Sequence, residues 1–182
     1  MACDASMAMY QFVISTQSFK QGSSSIFEMK DQEGNLTGHL VGLFYRTINL
    51  MEHGVRPVWV FDGKAPDEKM KELEKRKERK EEAEEEKKEA LAAGDMEKAV
   101  KMAGRSVHIT SEMVADAKNM LRLMGMPVVE APGEAEAQCS ILAKEGKVWA
   151  TVSEDMDSLT FGTPVLLRGF KSVKEPLTEI NL

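Results

Sequence analysis

The strongest constraint on the fold is a pattern that recurs along the chain, in which a short apolar run ends in a carboxylate and a loop or helix follows. Four segments have this form: ACDAS, VWVFDG, APGEAEA and SEDMDSL. Strands that alternate with helices of about 10 to 15 residues indicate a parallel sheet. The sequence therefore predicts one α/β domain, and its 182 residues are enough for a real core.

The carboxylates at these strand ends predict a metal site. In an open parallel sheet, ligands bind in the crevice beyond the carboxyl ends of the strands. Carboxylates crowded there raise one another's pKa unless a cation neutralises them. Oxygen ligands suit hard ions such as Mg²⁺ or Mn²⁺, and two such ions roughly 4 Å apart would activate water for attack on a phosphodiester. The six candidate ligands are Asp4, Asp62, Glu134, Glu136, Asp155 and Asp157.

Each acidic pair also has a structural interpretation. Glu134 and Glu136 stand near the start of a helix, where the helix dipole favours negative charge without any ligand. An acid of the pair Asp155 and Asp157 can cap the short helix DSLTF. Each pair alone is as consistent with these roles as with metal binding. Together with the matching strand-end aspartates, the set favours ligands.

The rest of the pattern predicts the remaining elements. Helices are expected at 7–19, 39–53, 111–124 and 134–145, strands at 58–62, 128–131, 148–152 and 165–167, and a loop or hairpin at 20–37. The three histidines have no metal-ligand spacing and are expected at the surface or at helix ends; they are His39, His53 and His108.

Composition narrows the class of protein. Cys3 and Cys139 offer neither a disulfide framework nor zinc spacing, which fits a reducing compartment. No apolar run approaches the roughly 18 to 20 residues of a membrane span, and we expect no secretory signal. The net charge of −6 argues weakly against a nucleic-acid partner, but an acidic metal pocket and a basic groove can share one chain.

Residues 67–101 differ from the rest of the chain. They contain 13 acidic and 11 basic residues, with the bases concentrated between Lys69 and Lys80 and an acidic block at 81–86. Such a segment has little apolar face, so we expect helices that stand away from the core and order partly or only on binding. Residues 92–95 are expected to form the turn between two helices. A merely solvated helical insertion is an equally good interpretation of the charge pattern.

Several long strings resemble the flap endonucleases of the XPG-type, structure-specific 5′ nuclease family. They are DASMAMYQF, HLVGLFYRTINLMEHGVRPVWVFDGKAP, LMGMPVVEAPGEAEAQ and TVSEDMDSLTFG. The resemblance implies a PIN-like nuclease core with a mainly parallel, twisted sheet flanked by helices, divided by a charged helical arch. The core would comprise residues 1–66 and 110–182, and the arch residues 67–109. The implied activity is Mg²⁺-dependent cleavage of DNA 5′ flaps, with 5′-3′ exonuclease activity, in replication and repair.

The resemblance also implies roles for particular residues. Asp4, Asp62, Glu134 and Glu136 would hold one metal, and Asp155 and Asp157 the other. Lys69 and Arg76 match two basic residues with a catalytic role, which reach into the site from the first arch helix. Tyr10 matches an aromatic residue that stacks on a base beside the scissile bond, and stacking favours an unpaired nucleotide. Arg46 and Arg105 match DNA-binding positions near the gateway and its cap.

The chain departs from the family pattern at its ends. It begins almost on the first aspartate, where the family has a Met-Gly segment, and it ends at Leu182. We therefore expect weak or no cleavage by this chain alone, because a seventh acid and a duplex-binding element would lie downstream. For a full-length protein we expect sliding-clamp binding and a nuclear location, with the mitochondrion as a second compartment.

Two other functions are compatible with the residues. A shortened relative could bind branched DNA or a partner without cutting it. Asp155 and Asp157 also form the D-x-D pattern of haloacid dehalogenase-type phosphatases, but that pattern stands late in this chain, beside E-A-E.

Overall fold

The computed structural model describes residues 1–17, 26–64, 69–169 and 177–182. Helices and strands alternate as the sequence pattern predicts. The strands are β1 (Ala2–Asp4), β2 (Val58–Phe61), β3 (Val128–Glu130), β4 (Thr151–Val152), β5 (Val165–Arg168) and β6 (Thr178–Asn181). The helices are α1 (Ala5–Thr16), α2 (Gly38–Glu52), α3 (Met70–Ala92), α4 (Met96–Ser106), α5 (Ser111–Leu123), α6 (Ala135–Lys144) and α7 (Asp157–Thr160).

The strands form one sheet in the order β3-β2-β1-β4-β5-β6. The first five strands in this order are parallel, and β6 alone pairs antiparallel, with β5. The chain adds β2 on one side of β1 and β4 on the other, so strand order reverses at β1. Ligands of open α/β sheets bind at the carboxyl ends of the strands at such a reversal, and the acidic segments after β1, β2 and β4 all lie there.

The larger part of the core lies between the sheet and helices α1, α2 and α5. Trp59, Phe61, Met9 and Leu43 are almost fully buried there. The Trp59 indole N–H donates to Thr47 Oγ1 at 3.1 Å, which satisfies its one polar group. A smaller cluster joins the other face of the sheet to α6, so the sheet is covered on both faces, as a parallel sheet requires.

Three local expectations need correction. Strand β4 is two residues long rather than five, because Val148 and Trp149 lie in a bend outside the sheet and Trp149 is 59% exposed. Helix α1 begins at Ala5 and ends at Thr16, whereas the sequence pattern predicted residues 7–19. His39 stands near the start of α2 but is buried, so the surface alternative is wrong; it points toward α5. Burial lowers its pKa, while the charge of Asp116 opposes that change.

The loop predicted at 20–37 is described from residue 26 onward, and residues 20–25 lie outside the described part. Lys30 and Leu36 form an antiparallel bridge around a turn in which Asp31 accepts backbone hydrogen bonds. Within the described ranges, no helix has both the length and the apolar character needed to cross a lipid bilayer.

The charged segment forms a hairpin of two packed helices, α3 and α4. The predicted turn is present: α3 ends at Ala92, Gly94 has a positive φ of 74°, and Asp95 caps α4 by accepting from Lys98 N at 3.0 Å. Residues 67 and 68 of the predicted arch lie outside the described ranges. The expectation that these helices stand away from the core is wrong in one respect, because Lys69, at the N-cap of α3, and Lys80, within α3, contact Glu134 and Tyr10.

Candidate metal and nucleic-acid site

Asp4 stands at the centre of the site, at the carboxyl end of β1. Its side chain is 7% exposed, and Oδ1 accepts a hydrogen bond from Met7 N at 3.0 Å, which caps α1. Burial raises the pKa of Asp4 to about 6; the Met7 hydrogen bond opposes this rise, and the charges of Asp62 and Asp155 add to it. The residue therefore has a structural role as a cap and a chemical role as a destabilised anion.

Asp62 follows β2 and ties the neighbouring strand to the site. Its Oδ1 accepts from Ala135 N at 2.9 Å, at the first turn of α6. Gly63 comes next, and its N–H donates to Gly133 O at 2.7 Å. A Cβ at Gly63 would lie 1.9 Å from Ala131 O, so only glycine permits this approach of the two loops. The APGEAEA segment is thereby held against the end of β2.

Glu136 shows most clearly that the acids converge. Its side chain is half-buried, and burial raises its pKa to about 7. The charges of four other carboxylates contribute to that rise: Asp4, Asp155, Asp62 and Glu134. Five of the six predicted ligands therefore lie close enough to repel one another, as expected for strand ends that meet at one edge of a sheet.

The sixth residue, Asp157, lies at the outer side of this group. It is exposed and is the first residue of α7, and its N–H donates to Asp155 Oδ1 at 3.0 Å. Asp155 N in turn donates to Ser153 Oγ at 3.1 Å. The loop after β4 is thus ordered by its own polar groups. The alternative in which an acid caps the short helix fits Asp157 only as a first-turn residue, because the cap position is Met156.

The donor set fits a hard divalent cation in chemistry. It offers carboxylate oxygens, and the pKa values of Asp4 and Glu136 are raised first by burial and then by neighbouring negative charge, which a cation would offset. In the part of the chain that the structure describes, no three His, Cys, Asp or Glu side chains are already gathered as one ion requires. Binding would therefore need side-chain rotations, and the assignment of ligands stays a prediction.

The predicted bases of α3 lie on one face of that helix. Lys69, Leu73, Arg76 and Lys80 are spaced by four, three and four residues, which keeps them on one side of a helix. Lys69 forms an ion pair with Glu134, which raises the pKa of Lys69. Arg76 pairs with Glu72 of its own helix. Of the two basic residues predicted to have a catalytic role, Lys69 therefore contacts the acidic cluster and Arg76 does not.

A basic cavity of about 740 Å³ lies between the arch and α1. It brings together three residues that were predicted to bind DNA, Tyr10, Arg76 and Arg105, and its lining also includes the acidic Glu82 and Glu86. The lining residues that matter here are Tyr10, Arg76, Lys77, Arg79, Lys80, Arg105 and His108. The surface around this cavity is therefore rich in basic residues, although the net charge of the whole chain is −6.

Arg46 lies apart from that cavity. Its guanidinium stacks on the Phe12 ring at 4.6 Å and it is half-buried beside Asp4 and Glu154. Burial lowers its pKa, against the charges of Cys3 and Glu154. Sequence reasoning missed two contacts near the site: Lys80 on Tyr10, and the Glu154 carboxylate that accepts from Gly169 N at 3.1 Å. The spacing of Lys80 from Lys69 was the signal for the first.

Solved structures with the same fold are nucleases. Flap endonuclease-1 from Methanococcus jannaschii superposes with a TM-score of 0.70 and 42% identity over 100% of this chain and 56% of that one. The catalytic core of Rad2 in complex with DNA substrate gives 0.66 and 28%, over 100% and 46%. The Holliday junction-resolving enzyme GEN1 in complex with product DNA and Mg²⁺ gives 0.57 and 27%, over 99% and 32%.

Sequence comparisons agree with the fold. The XPG N-terminal domain model matches residues 1–83 and the XPG I-region model residues 125–182. Flap endonuclease 1 of Tetrahymena thermophila is 57% identical over 180 residues, 99% of this chain and 46% of that protein. Flap endonuclease 1 of Leishmania braziliensis is 46% identical over 184 residues, 100% of this chain and 46% of that protein.

The fold and the acidic cluster thus define a PIN-like nuclease core. The chain belongs to the XPG-type nuclease family, which confirms the resemblance and removes the phosphatase interpretation. It spans about half the length of the curated relatives that it matches.

Proposed function

We propose that this chain is the metal-binding core of a structure-specific 5′ flap endonuclease, which hydrolyses DNA phosphodiesters at junctions of single and double strands. The observation that carries the proposal is the convergence of five carboxylates beside a basic cavity that contains Tyr10. An acidic centre needs a cation, and a basic, aromatic cavity suits a single strand. The printed names of the relatives, flap endonucleases, support the same activity.

The residues divide into metal ligands and substrate-binding groups. Asp4, Asp62, Glu134 and Glu136 would hold one Mg²⁺, and Asp155 and Asp157 a second. The ions would supply an activated water and stabilise the leaving oxygen. Mn²⁺, another hard divalent ion, could substitute.

The chain's own residues orient the nucleic acid. Tyr10 would stack on an unpaired base, and Lys69 and Arg76 would offset the charge that develops on the phosphate. Lys69 would have to leave Glu134 to do so, and a divalent ion held by that carboxylate would supply positive charge in its place. Arg105 lines the same cavity and would contact the strand as it passes. Arg46, stacked on Phe12, would contact DNA outside that cavity.

The test is cleavage of a 5′-labelled double-flap DNA in Mg²⁺. The proposal predicts a cut near the junction that Asp155→Asn removes. Asp116→Asn, an exposed aspartate on α5, serves as the matched control and should cut like the wild type. A product that persists in Asp155→Asn would show contamination or a different active site.

A second function is recognition of branched DNA without cleavage. The observation in its favour is that no three potential ligands within the described ranges are already gathered around one ion position. It predicts that flap DNA binds in both Ca²⁺ and Mg²⁺ without turnover in either. Sliding-clamp binding, 5′-3′ exonuclease activity and a nuclear or mitochondrial location are proposals for a protein of the relatives' length.

A further inference from the structure

Tyr10 and Lys80 form a contact between the core and the arch. The Lys80 ammonium donates to the Tyr10 phenol oxygen at 2.8 Å and lies 4.7 Å from the centre of its ring. The two residues are 70 positions apart, on α1 and α3. The position predicted to stack on a base is therefore held by a residue that sequence analysis did not single out.

The surroundings of Lys80 make this choice of partner informative. Glutamates are frequent on α3, and other bases of the helix pair with them: Arg76 with Glu72, and Lys77 with Glu81 at 3.8 Å. In the described part of the chain, Lys80 forms no such salt bridge and is instead half-buried against a neutral phenol. Glu82 and Glu86 line the same cavity, but the partner that the Lys80 ammonium contacts is the Tyr10 phenol.

The contact also restrains the Tyr10 ring. A phenol that accepts a hydrogen bond from an ammonium group cannot turn freely about its side-chain bonds. The ring lines the basic cavity of about 740 Å³, which lies within the usual size range of small-ligand sites. A base stacked on Tyr10 would place its phosphates among the cations of that cavity.

We propose that Lys80 is a positioning residue, which holds the Tyr10 ring in the orientation that stacks an unpaired nucleotide. It acts through the phenol oxygen and not by its charge alone. This inference rests on the proposed function, since it names how the same site recognises a single strand. It also makes the position of the arch helix part of base recognition.

The experiment is a double-mutant cycle on binding of a fluorescent double-flap DNA in Ca²⁺, where affinity is measured without turnover. Lys80→Met should weaken binding about tenfold, the scale of losing a base–aromatic stack. Lys77→Met removes the same charge from the same cavity without touching Tyr10 and measures the effect of charge alone. Lys80→Arg keeps a donor and should restore most of the affinity.

The deciding comparison is made in the Tyr10→Phe background, where the phenol oxygen is absent. Lys80→Met should there cost no more than Lys77→Met costs in the wild type. An equal loss from Lys80→Met with and without the phenol would overturn the inference, because it would show a purely electrostatic role.

Failure of the inference can be told from failure of the proposed function. A wild-type chain that neither binds nor cuts the flap contradicts the function, whereas a chain that does both but shows additive losses contradicts only the role of Lys80. Circular dichroism and the melting temperature of each variant check that it folds. If Lys80→Met does not fold, the test is made with Lys80→Arg.

Discussion

Asp4→Asn should stabilise the metal-free protein while damaging its proposed activity. The pKa of Asp4 rises from an ordinary 3.8 to about 6 because the carboxyl group is buried. Each pKa unit corresponds to about 1.4 kcal/mol, so the ionised side chain costs the folded state about 3 kcal/mol above pH 7. Asparagine removes that charge but keeps an oxygen that can accept from Met7 N.

The sign of the pH dependence follows from the same change. A carboxyl group with a raised pKa in the folded state binds its proton more tightly there than in the unfolded chain. Its contribution to stability is complete below about pH 4 and is lost as pH rises through about 6. The advantage of Asp4→Asn should therefore be about 3 kcal/mol at pH 8 and about half of that at pH 5.

Urea unfolding in EDTA, followed by circular dichroism at pH 5 and pH 8, measures both differences. Asp116→Asn is the control, because that aspartate is exposed on α5 and should leave stability nearly unchanged. Saturating Mg²⁺ should stabilise the wild type and have less effect on Asp4→Asn. A variant that is less stable than the wild type at pH 8 would refute the reasoning, since it would mean that the capping carboxylate contributes more than its burial costs.

Three further predictions follow from individual contacts. Lys69→Gln should tighten Mn²⁺ binding in calorimetry more than Lys75→Gln does, because only Lys69 competes for Glu134; equal effects would point to general charge. Gly63→Ala should lower the free energy of unfolding by about 1 to 3 kcal/mol, because the new Cβ would overpack against Ala131 O. Gly133→Ala is the control, since a Cβ there meets open space. Equal melting temperatures of the two variants would contradict this prediction. Thr47→Val should cost about 1 to 3 kcal/mol by leaving the buried Trp59 N–H without its acceptor, and Thr47→Ser should lose much less.

The parts of the fold set by local pattern were predictable. Helices α2 and α5 carry apolar residues at helical spacing and end shortly before Gly54 and Gly125, both with positive φ. Strand β2 is a continuous apolar run, as expected for a strand covered on both faces. The four acidic segments were predicted to meet because parallel strands share one carboxyl edge, and the mutual effects on the pKa of Glu136 agree.

The parts set by distant partners were not predictable. Strand β6 is mostly polar and exposed, and it exists through its antiparallel register with β5. The burial of His39 depends on where α5 packs. The contacts of Lys69 with Glu134 and of Lys80 with Tyr10 depend on how α3 lies across the core, and charge pattern alone could not distinguish that from a solvated insertion.

The central claim is that the carboxylates at the end of the sheet bind a divalent cation. Calorimetric titration of Mn²⁺ into the DNA-free chain and into Glu136→Gln tests it most directly, with Glu145→Gln at the other end of α6 as control. The claim predicts binding to the wild type and to Glu145→Gln, and at least a tenfold loss of affinity in Glu136→Gln, a typical scale for disturbing a metal site. Equal Mn²⁺ affinity in all three proteins would contradict it.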